Sequence, residues 1–510
     1  MCIRDSIFTA LYEQGAPFCL IDSRERRDYV EGHWFGSTNI PLSILPTRLP
    51  FLCPDRDFPI HFLNWDDSAS TVAADYINRL GYRNVKPHKT TAPTNPVIGY
   101  VQGEYVWSKA FGEVVAHQSD ILEVTPQDYV TDYQHAQLVD VRPAGEYNRF
   151  TLPGSINLPN SLLLANIDQL HDQVDMVLLH CAGRTRSIIG AHTLKAAGYN
   201  QNFGIFRGGT QAWELDGFTR EHGATKTMAA ETESSLPVTD FLNRWHIATT
   251  YIHPATLQTF VEANTSHLMF DVSDDAANGY LVGSRLIKIS GTNLVQQTDR
   301  SIARYHVPIL LLDIASGSRA AFAAYWLSRM GFDVEIVIVE TDHLQTFPPQ
   351  NDTLGERSDP QLIENWLSNA TPIFDFRLSS EFASGHIAAS QWCNISLMLD
   401  QKPDTAAIGI VGPCHETGDM IAHILTKIGW KIDGIFVWQD QPLDSKTLTS
   451  STAGFDQNNI PIDRSALFAG RHFGVLKDAK DYLAWEEDLP DQIPPVIINM
   501  WHDRLAQTNK

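Results

Sequence analysis

The most informative stretch of the chain is residues 177–194, which read VLLHCAGRTRSIIGAHTL. Residues 177–180 are a short apolar run of the kind found in buried parallel strands. Residues 181–186 are small or cationic, and Ser187 is a residue type favoured at the start of a helix. Apolar side chains then follow with helical spacing at Ile188, Ile189, Ala191 and Leu194. The stretch therefore predicts a strand, a tight loop and a helix, the basic unit of an α/β fold.

The same unit occurs four times along the chain. Each copy begins with an apolar strand that ends in aspartate, at Asp22, Asp140, Asp271 and Asp375. Arginine follows two positions later in three copies, at Arg24, Arg142 and Arg377, and the third copy has Ser273 there. Each copy closes with a helix that ends in glycine and an aromatic residue, at Gly81-Tyr82, Gly198-Tyr199, Gly331-Phe332 and Gly429-Trp430. The repeat predicts an α/β protein of four tandem modules, each a parallel sheet with helices on both faces.

Changes in composition divide the chain into module 1 (residues 1–95), module 2 (115–222), module 3 (248–345), module 4 (358–442) and a C-terminal extension (443–510). Polar stretches rich in proline or threonine mark the boundaries at 86–96, 221–237 and 346–360. Residues 1–6 lack the apolar stretch of a secretion signal, and the sequence from Leu11 already resembles the middle of a domain. We therefore expect module 1 to be truncated at its N-terminus, and the extension to form a terminal helix packed on module 4.

The composition excludes several classes of function. The 510 residues include 38 lysines and arginines against 60 aspartates and glutamates, a formal charge of −22. Nucleic acids and anionic membranes require a basic surface, so we expect neither as a partner. The longest apolar runs, such as residues 309–312, are far shorter than the roughly 18 residues that span a bilayer. Six cysteines without a Cys-x-x-Cys pair argue against a disulfide scaffold or a zinc site and favour a cytoplasmic protein.

The loop after the second module's strand combines a nucleophile with features that attract anions. Cys181 lies at the carboxyl end of the strand, where α/β proteins bind ligands. The loop N–H groups, the helix N-terminus and the charges of Arg184 and Arg186 all favour a negative group, including the thiolate form of Cys181. We predict Cys181 as the catalytic residue and a substrate-binding loop of Ala182, Gly183, Arg184, Thr185, Arg186 and Ser187. The alternative is that Cys181 is a small buried apolar residue.

These motifs resemble those of the rhodanese family of sulfurtransferases. The resemblance rests on Asp140-Val141-Arg142, Glu146-Tyr147, residues 153–159 (PGSINLP), residues 181–186 and residues 208–213 (GGTQAW). It is specific in module 2, from about Val124 to Phe218. The whole chain resembles bacterial proteins that contain four rhodanese modules in tandem.

The resemblance implies a sulfurtransferase with a persulfide mechanism. The thiolate of Cys181 would attack the outer sulfur of thiosulfate or a related anion, and sulfite would leave. The persulfide on Cys181 would then pass its sulfur to cyanide, a cellular thiol or an acceptor protein. The resemblance implies no metal and no organic cofactor.

The other three modules lack a nucleophile at the matching position. Counting back from the helix-end glycines places Asn64, Ile314 and Gly412 opposite Cys181. We expect modules 1 and 3 to be inactive, and the same is expected of module 4. Cys414 lies two residues beyond the matching position in module 4, near Glu416, which should disfavour a thiolate, and its reactivity is left open. The remaining cysteines are interpreted as core residues (Cys19 and Cys393) or as a loop residue (Cys53).

Two other functions are weighed against sulfur transfer. A Cys-dependent phosphatase needs arginine six positions after the cysteine, whereas here Arg186 is fifth and Ser187 is sixth. A sulfur carrier, sensor or scaffold is the second alternative, because most of the chain lacks a nucleophile. A protease-type Cys–His pair is not expected, since adjacent strand residues such as His180 and Cys181 point to opposite faces.

Overall fold

The computed structural model describes residues 7–173, 176–228, 236–273, 286–340, 359–403, 406–438, 448–449 and 460–507. Some predicted features lie outside this range: the module limits at residues 345, 358, 442 and 443, the linker up to residue 358, and the opening residues 1–6. Within it the chain forms four parallel sheets flanked by helices, one for each predicted module. The predicted α/β fold class is confirmed.

Modules 2 and 3 contain five-stranded parallel sheets with the same strand order. In module 2 the order is Leu122–Val124, Asn202–Phe206, Met176–His180, Gln137–Asp140 and Ile156–Asn157. In module 3 it is Thr249–Ile252, Val334–Val339, Ile309–Ile314, Leu268–Asp271 and Ile287–Lys288. The strand that leads to the predicted loop is therefore central in both sheets.

Modules 1 and 4 share the inner part of this order. The parallel strands of module 1 are Val85–Lys89, Ile60–Asn64, Phe18–Asp22 and Thr38–Asn39. Those of module 4 are Lys431–Val437, Ala407–Gly412, Ile373–Asp375 and Ser390–Trp392. Two short antiparallel pairs lie outside the main sheets, His33–Trp34 with Tyr100–Val101 and His386–Ile387 with Leu448–Thr449.

Helices cover the sheets and join them. Those of the first half of the chain are Ile7–Tyr12, Arg26–Glu31, Leu45–Leu52, Ser68–Arg79, Val106–His117, Pro126–Asp132, Ala144–Arg149, Ile167–Gln173, Thr185–Ala197 and Gly209–Leu215. Those of the second half are Leu236–Arg244, Leu257–Ala263, Gly291–Gln296, Thr298–Ser301, Ser318–Arg329, Gln361–Ser368, Ser379–Ser384, Ile395–Met398, His415–Lys427, Leu476–Asp488 and Pro495–Ala506. The four predicted helix-end glycines adopt positive φ angles, from 81° at Gly198 to 102° at Gly331.

The Asp-x-Arg repeats form the same buried contact in three modules. The arginine Nη2 lies 2.6–2.7 Å from the aspartate Oδ2 in Asp22–Arg24, Asp140–Arg142 and Asp375–Arg377. The same nitrogen also donates to a backbone carbonyl eight positions further along, at Gly32, Phe150 and Gly385. The arginine therefore ties the end of the strand to the turn after the next helix, which explains why the motif repeats.

Module 3 completes the sheet of module 1. Its strand Arg304–Tyr305 pairs antiparallel with Phe18 and Cys19. The ring of Tyr305 stacks on Phe18 with the centroids 5.0 Å apart, and its hydroxyl donates to the Gly36 carbonyl at 2.9 Å. The two modules are thus held together by main-chain hydrogen bonds as well as by side-chain packing.

The helices of the C-terminal extension do not pack as expected, although its strand Leu448–Thr449 pairs with module 4. Helix Leu476–Asp488 packs on helices Val106–His117 and Gly209–Leu215, and helix Pro495–Ala506 packs on Val106–His117 and Ser318–Arg329. The prediction of a terminal helix packed on module 4 is wrong, because the apolar face of the extension matches helix Val106–His117. That helix is itself largely buried.

Membrane insertion by a helix has no support in the described part of the chain, where every helix is too short or too polar to span a bilayer.

Candidate active site

Cys181 follows the central strand of module 2. His180, the last residue of that strand, pairs with Asp140 on the neighbouring strand, so Cys181 lies at the carboxyl edge of the sheet. Its side chain is only 2% exposed. The Sγ atom lies 3.9 Å from the hydroxyl of Ser187, which in turn donates to the Arg184 carbonyl at 2.7 Å. The predicted nucleophile therefore sits beneath the first turn of helix Thr185–Ala197.

The GGTQAW motif forms backbone hydrogen bonds to this loop. The backbone N–H groups of Thr210 and Gln211 donate to the carbonyls of Cys181 and Ala182, each at 3.1 Å. Gly209 has a φ of 54°, and a Cβ atom there would lie 2.2 Å from the Cys181 carbonyl oxygen. Only glycine permits this approach, so the motif fixes the backbone of the loop.

His180 faces away from the nucleophile, as predicted from strand geometry. Its Nε2 lies 2.8 Å from the Ser155 hydroxyl, and its Nδ1 lies 4.0 Å from Asp140. Burial lowers the pKa of His180 to about 4. A neutral imidazole held on the opposite face of the sheet supports the interpretation that His180 is structural.

The two loop arginines differ from expectation because both are neutralised by carboxylates. Arg184 forms two 2.9 Å hydrogen bonds to Glu113 on helix Val106–His117. Arg186 forms a similar double contact with Glu146, at 2.6 and 2.9 Å. Burial opposes charge on Arg186, but Glu146 and the nearby Cys181 outweigh it and raise the pKa of the guanidinium. Neither arginine thus offers a free positive charge.

The C-terminal extension contributes a carboxylate directly to the loop. Glu486 is 1% exposed and accepts hydrogen bonds from the Arg184 backbone N–H and the Thr185 hydroxyl, both at 3.2 Å. Lys109 Nζ lies 2.6 Å from the same carboxylate, and Tyr482 donates to it at 2.7 Å. Lys109 and Tyr482 also contact each other. Burial raises the pKa of Glu486, but Lys109 more than offsets this and holds it below its usual value.

A cavity of about 310 Å³ opens beside the loop. Its walls include two loop residues, Ala182 and Arg186, but not Cys181 itself. Cationic side chains from three parts of the chain line it: Lys109, Arg142, Arg149, Arg186 and Arg471. Its carboxylates are Glu104 and Glu146.

Four buried polar atoms of residues that line this cavity have no hydrogen-bond partner among the described residues: Gln211 Oε1, Gln296 Oε1, Arg471 Nε and Trp485 Nε1. Buried polar groups are normally paired, so unpaired atoms around one cavity indicate a site that accommodates a polar ligand. The guanidinium of Arg471 lies over the ring of Tyr482 at 4.3 Å, which holds it against the cavity.

Strand register identifies the residues that match Cys181 in the other modules. The strand-end aspartates Asp22, Asp271 and Asp375 pair with Leu63, Leu312 and Val411. The next residues are Asn64, Asp313 and Gly412, so the assignments for modules 1 and 4 agree with the sequence alignment. The assignment of Ile314 in module 3 is wrong by one residue, because counting from the helix end misses a difference in loop length.

Cys414 occupies a different place from Cys181. It is the residue that precedes helix His415–Lys427, with its Sγ 3.3 Å from the Thr417 hydroxyl. Burial and the neighbouring Glu416 raise the pKa of Cys414. Cys19 and Cys393 are buried as expected, with pKa values also raised by burial, and Cys53 is buried as well.

No cluster of three or more His, Cys, Asp or Glu side chains that could hold a metal ion occurs among the described residues. Lys109, Arg149, Arg471, Tyr482 and Glu486 were missed by sequence reasoning. Tyr482 and Glu486 lie in an acidic-aromatic run, Tyr482 to Glu487, in a segment that the repeat does not explain, whereas Lys109, Arg149 and Arg471 belong to no motif that the sequence analysis identified.

Comparison with known proteins identifies the class of fold. Residues 126–216 match the family model of the Rhodanese-like domain. A crystal structure of a thiosulfate sulfurtransferase from Pseudomonas aeruginosa is similar over nearly the whole chain, with a TM-score of 0.78 and 24% identity, covering 96% of this chain and 97% of that one. Residues 126–216 thus form a rhodanese-like domain, and the chain as a whole shares the fold of the Pseudomonas aeruginosa structure.

Shorter structures match single regions. A rhodanese-related protein from Thermoplasma volcanium has 24% identity and a TM-score of 0.18, covering 19% of this chain and 96% of its own. A 3-mercaptopyruvate sulfotransferase from Escherichia coli has 15% identity and a TM-score of 0.20, covering 42% of this chain and 97% of its own. No curated protein sequence was found to match.

Proposed function

We propose that the protein is a sulfurtransferase that moves sulfane sulfur from thiosulfate or a related anion to a thiophilic acceptor through a persulfide on Cys181. The observation that carries the proposal is the cation-lined cavity of about 310 Å³ directly beside the Cys181 loop. The rhodanese-like fold of residues 126–216 supports the same chemistry.

The first half-reaction forms the persulfide. The thiolate of Cys181 attacks the outer sulfur of thiosulfate, the sulfur–sulfur bond of the donor breaks, and its electron pair leaves with sulfite. Three negative charges enter and three remain, one on the persulfide and two on sulfite. The cations around the cavity, above all Arg149 and Arg471, stabilise this charge.

The second half-reaction returns the thiolate. A nucleophile such as cyanide or a thiolate attacks the outer persulfide sulfur, and the electron pair of that bond returns to Cys181. Since the side chain of Cys181 is only 2% exposed, the loop at Ala182 and Arg186 must shift for either reactant to touch the sulfur. This favours small reactants at the sulfur itself.

The source of the positive charge also changes from the sequence-based interpretation. Arg184 does not line the cavity and is paired with Glu113, so we assign it a structural role. Arg186 and Lys109 line the cavity while paired with Glu146 and Glu486, and Arg149 and Arg471 supply further charge. The site is therefore cationic chiefly because of residues outside the loop.

Intact mass measurement tests the proposal. Purified full-length protein incubated with thiosulfate should gain the mass of one sulfur atom, and addition of cyanide should remove it and release thiocyanate. Cys181→Ser should abolish both signals, a loss of at least about 1,000-fold in turnover. Cys414→Ser is the matched control and should behave as wild type.

The alternatives give different results. A stable adduct that cyanide does not discharge would indicate a sulfur carrier or sensor. No adduct with thiosulfate, mercaptopyruvate or glutathione persulfide would indicate a scaffold and contradict the proposal. Turnover of an aryl phosphate that depends on Cys181 would indicate a phosphatase, contrary to the five-residue spacing between Cys181 and Arg186.

A further inference from the structure

A second, larger cavity adjoins the one beside Cys181. It has a volume of about 1050 Å³ and is lined by residues of modules 1 to 4 and of the C-terminal extension. The two cavities share wall residues, among them Glu104, Tyr105, Arg149, Asn293 and His472. The larger space is at the upper end of the range for small-molecule sites, about 300–1,000 Å³, and far exceeds the needs of a thiosulfate ion.

Arg26 on the cavity wall pairs with Glu104, but five other cations there have no carboxylate partner in the part of the chain that the structure describes. Arg48, Arg149, Lys288, Arg300 and Arg464 all lie on its walls. Within the described ranges, none of the five forms an ion pair with a carboxylate. The protein as a whole has a formal charge of −22, so five unpaired cations around one cavity contrast with the acidic composition of the chain. They indicate a ligand with more than one negative charge.

Two of these cations lie close together. Arg48 Nη2 donates to the backbone carbonyl of Arg300 at 3.3 Å, which brings the two residues to the same part of the wall. Burial and the charge of Arg300 lower the pKa of Arg48 to about 10. The two guanidinium charges repel each other. An acidic group of a ligand that lies between them offsets this repulsion by pairing with both.

Four carboxylates line the cavity, and each accepts a hydrogen bond or pairs with an arginine, although Asp299 Oδ1 and Asp463 Oδ1 are buried without a partner in the described part of the chain. Glu104 pairs with Arg26, Asp299 accepts from the Val106 N–H at 2.9 Å, and Glu25 accepts from Ser43 at 3.0 Å. These contacts reduce their repulsion of an anion. The hydroxyl of Ser379 is buried, lies on the same cavity and has no hydrogen-bond partner, so it remains available as a donor.

Apolar side chains provide room for the body of a ligand. Ile44, Ile287, Ile289, Leu378 and Phe473 line the cavity together with the cations. A purely inorganic anion would leave this apolar surface uncovered, whereas an organic anion would bury it.

We propose that the larger cavity binds an organic anion with at least two acidic groups, carboxylate or phosphate, one held between Arg48 and Arg300 and another near Arg149. The proposal goes beyond sulfur transfer, because it assigns a separate ligand site. A ligand there would lie against the wall of the Cys181 cavity through the shared residue Arg149.

Titration calorimetry on the full chain tests this site. The Cys181→Ser variant is used, so that binding is measured without any sulfur chemistry and the result does not depend on the proposed function. ADP and citrate serve as probes for phosphate and carboxylate groups, and inorganic phosphate serves as the small anion. We expect ADP or citrate to bind with one-to-one stoichiometry and at least about tenfold more tightly than inorganic phosphate.

Matched variants locate the site. Arg48→Gln and Arg300→Gln should each weaken the bound probe by about tenfold, the effect of losing one charge-assisted contact. Arg83→Gln, an exposed arginine of module 1 paired with Asp57, is the control and should leave binding unchanged. The proposal is overturned if neither organic probe binds, if inorganic phosphate binds as tightly, or if the Arg48 and Arg300 variants bind like the control.

Discussion

Cys181 of module 2 and Asp313 of module 3 occupy the same position on two similar sheets, directly opposite the residue after the strand-end aspartate. Asp313 is fully buried, and its carboxylate accepts hydrogen bonds from the backbone N–H groups of Ile314 at 2.8 Å and Ala320 at 2.9 Å. In module 3, the hydrogen-bond acceptor for the backbone N–H groups at the start of helix Ser318–Arg329 is therefore an acidic side chain of the same module.

In module 2, the hydrogen-bond acceptor at the corresponding helix start comes from a distant part of the sequence. There the carboxylate comes from Glu486, which accepts from the Arg184 N–H and the Thr185 hydroxyl. Supplying the carboxylate from the extension leaves the position after the strand free for a sulfur atom. In module 3 the stabilising carboxylate itself occupies this position, whereas in module 2 the position holds Cys181 and the carboxylate comes from a distant helix.

The largest expected effect on this comparison comes from Glu486→Ala. Removing this carboxylate leaves Lys109 charged and buried without its partner, which should lower the free energy of unfolding by about 3–5 kcal/mol. Persulfide formation should fall as well, because the loop loses two hydrogen bonds. Urea denaturation and intact mass after thiosulfate treatment measure the two effects.

Glu487→Ala provides the control for this experiment. Glu487 is 43% exposed and contacts Arg184 and Arg207 at the surface, so its loss should change stability by less than about 1 kcal/mol. Equal effects of the two variants would contradict the special role of Glu486.

Asp313→Ala should have an intermediate effect. The loss of a buried acceptor for two backbone N–H groups should lower stability by about 1–3 kcal/mol. Sulfur transfer at Cys181 should stay within about twofold of wild type, since module 3 contributes structure but no nucleophile. The control is Asp333→Ala, at an exposed aspartate of the same module. A strong loss of turnover in Asp313→Ala would contradict the assignment of a structural role to module 3.

Arg186→Gln should have the smallest effect. The variant roughly keeps the size of the side chain but leaves the Glu146 carboxylate in the cavity wall without its partner, which should raise the KM for thiosulfate by about tenfold, or about 1.4 kcal/mol. Reaction with an uncharged persulfide donor should change less. Arg319, at the matching position of module 3, is the comparison, and steady-state kinetics should show no change for Arg319→Gln.

The sequence predicts local features of the fold well. The strands Phe18–Asp22, Gln137–Asp140 and Leu268–Asp271 end at the predicted aspartates, since an apolar run that stops at aspartate defines a buried strand without reference to the rest of the chain. The glycines that end the helices are also correct, because a positive φ angle strongly favours glycine.

The sequence does not predict contacts between distant segments. The pairing of Arg184 with Glu113 and the approach of Glu486 to the loop depend on how helices from different parts of the chain dock. The repeated sequence motif contains no information about how these helices dock. The Asp313 position was missed for a related reason, since loop length between strand and helix differs among modules and only the hydrogen-bond register resolves it.

Helix Leu476–Asp488 also bears on how the protein matures during synthesis. Cys181 leaves the ribosome long before Glu486 and Tyr482, with modules 3 and 4 translated in between. Until the late helix docks, Lys109 and the loop lack their partner. Under the proposed mechanism, nascent chains should therefore form no persulfide on Cys181 until the other modules and the late helix are in place.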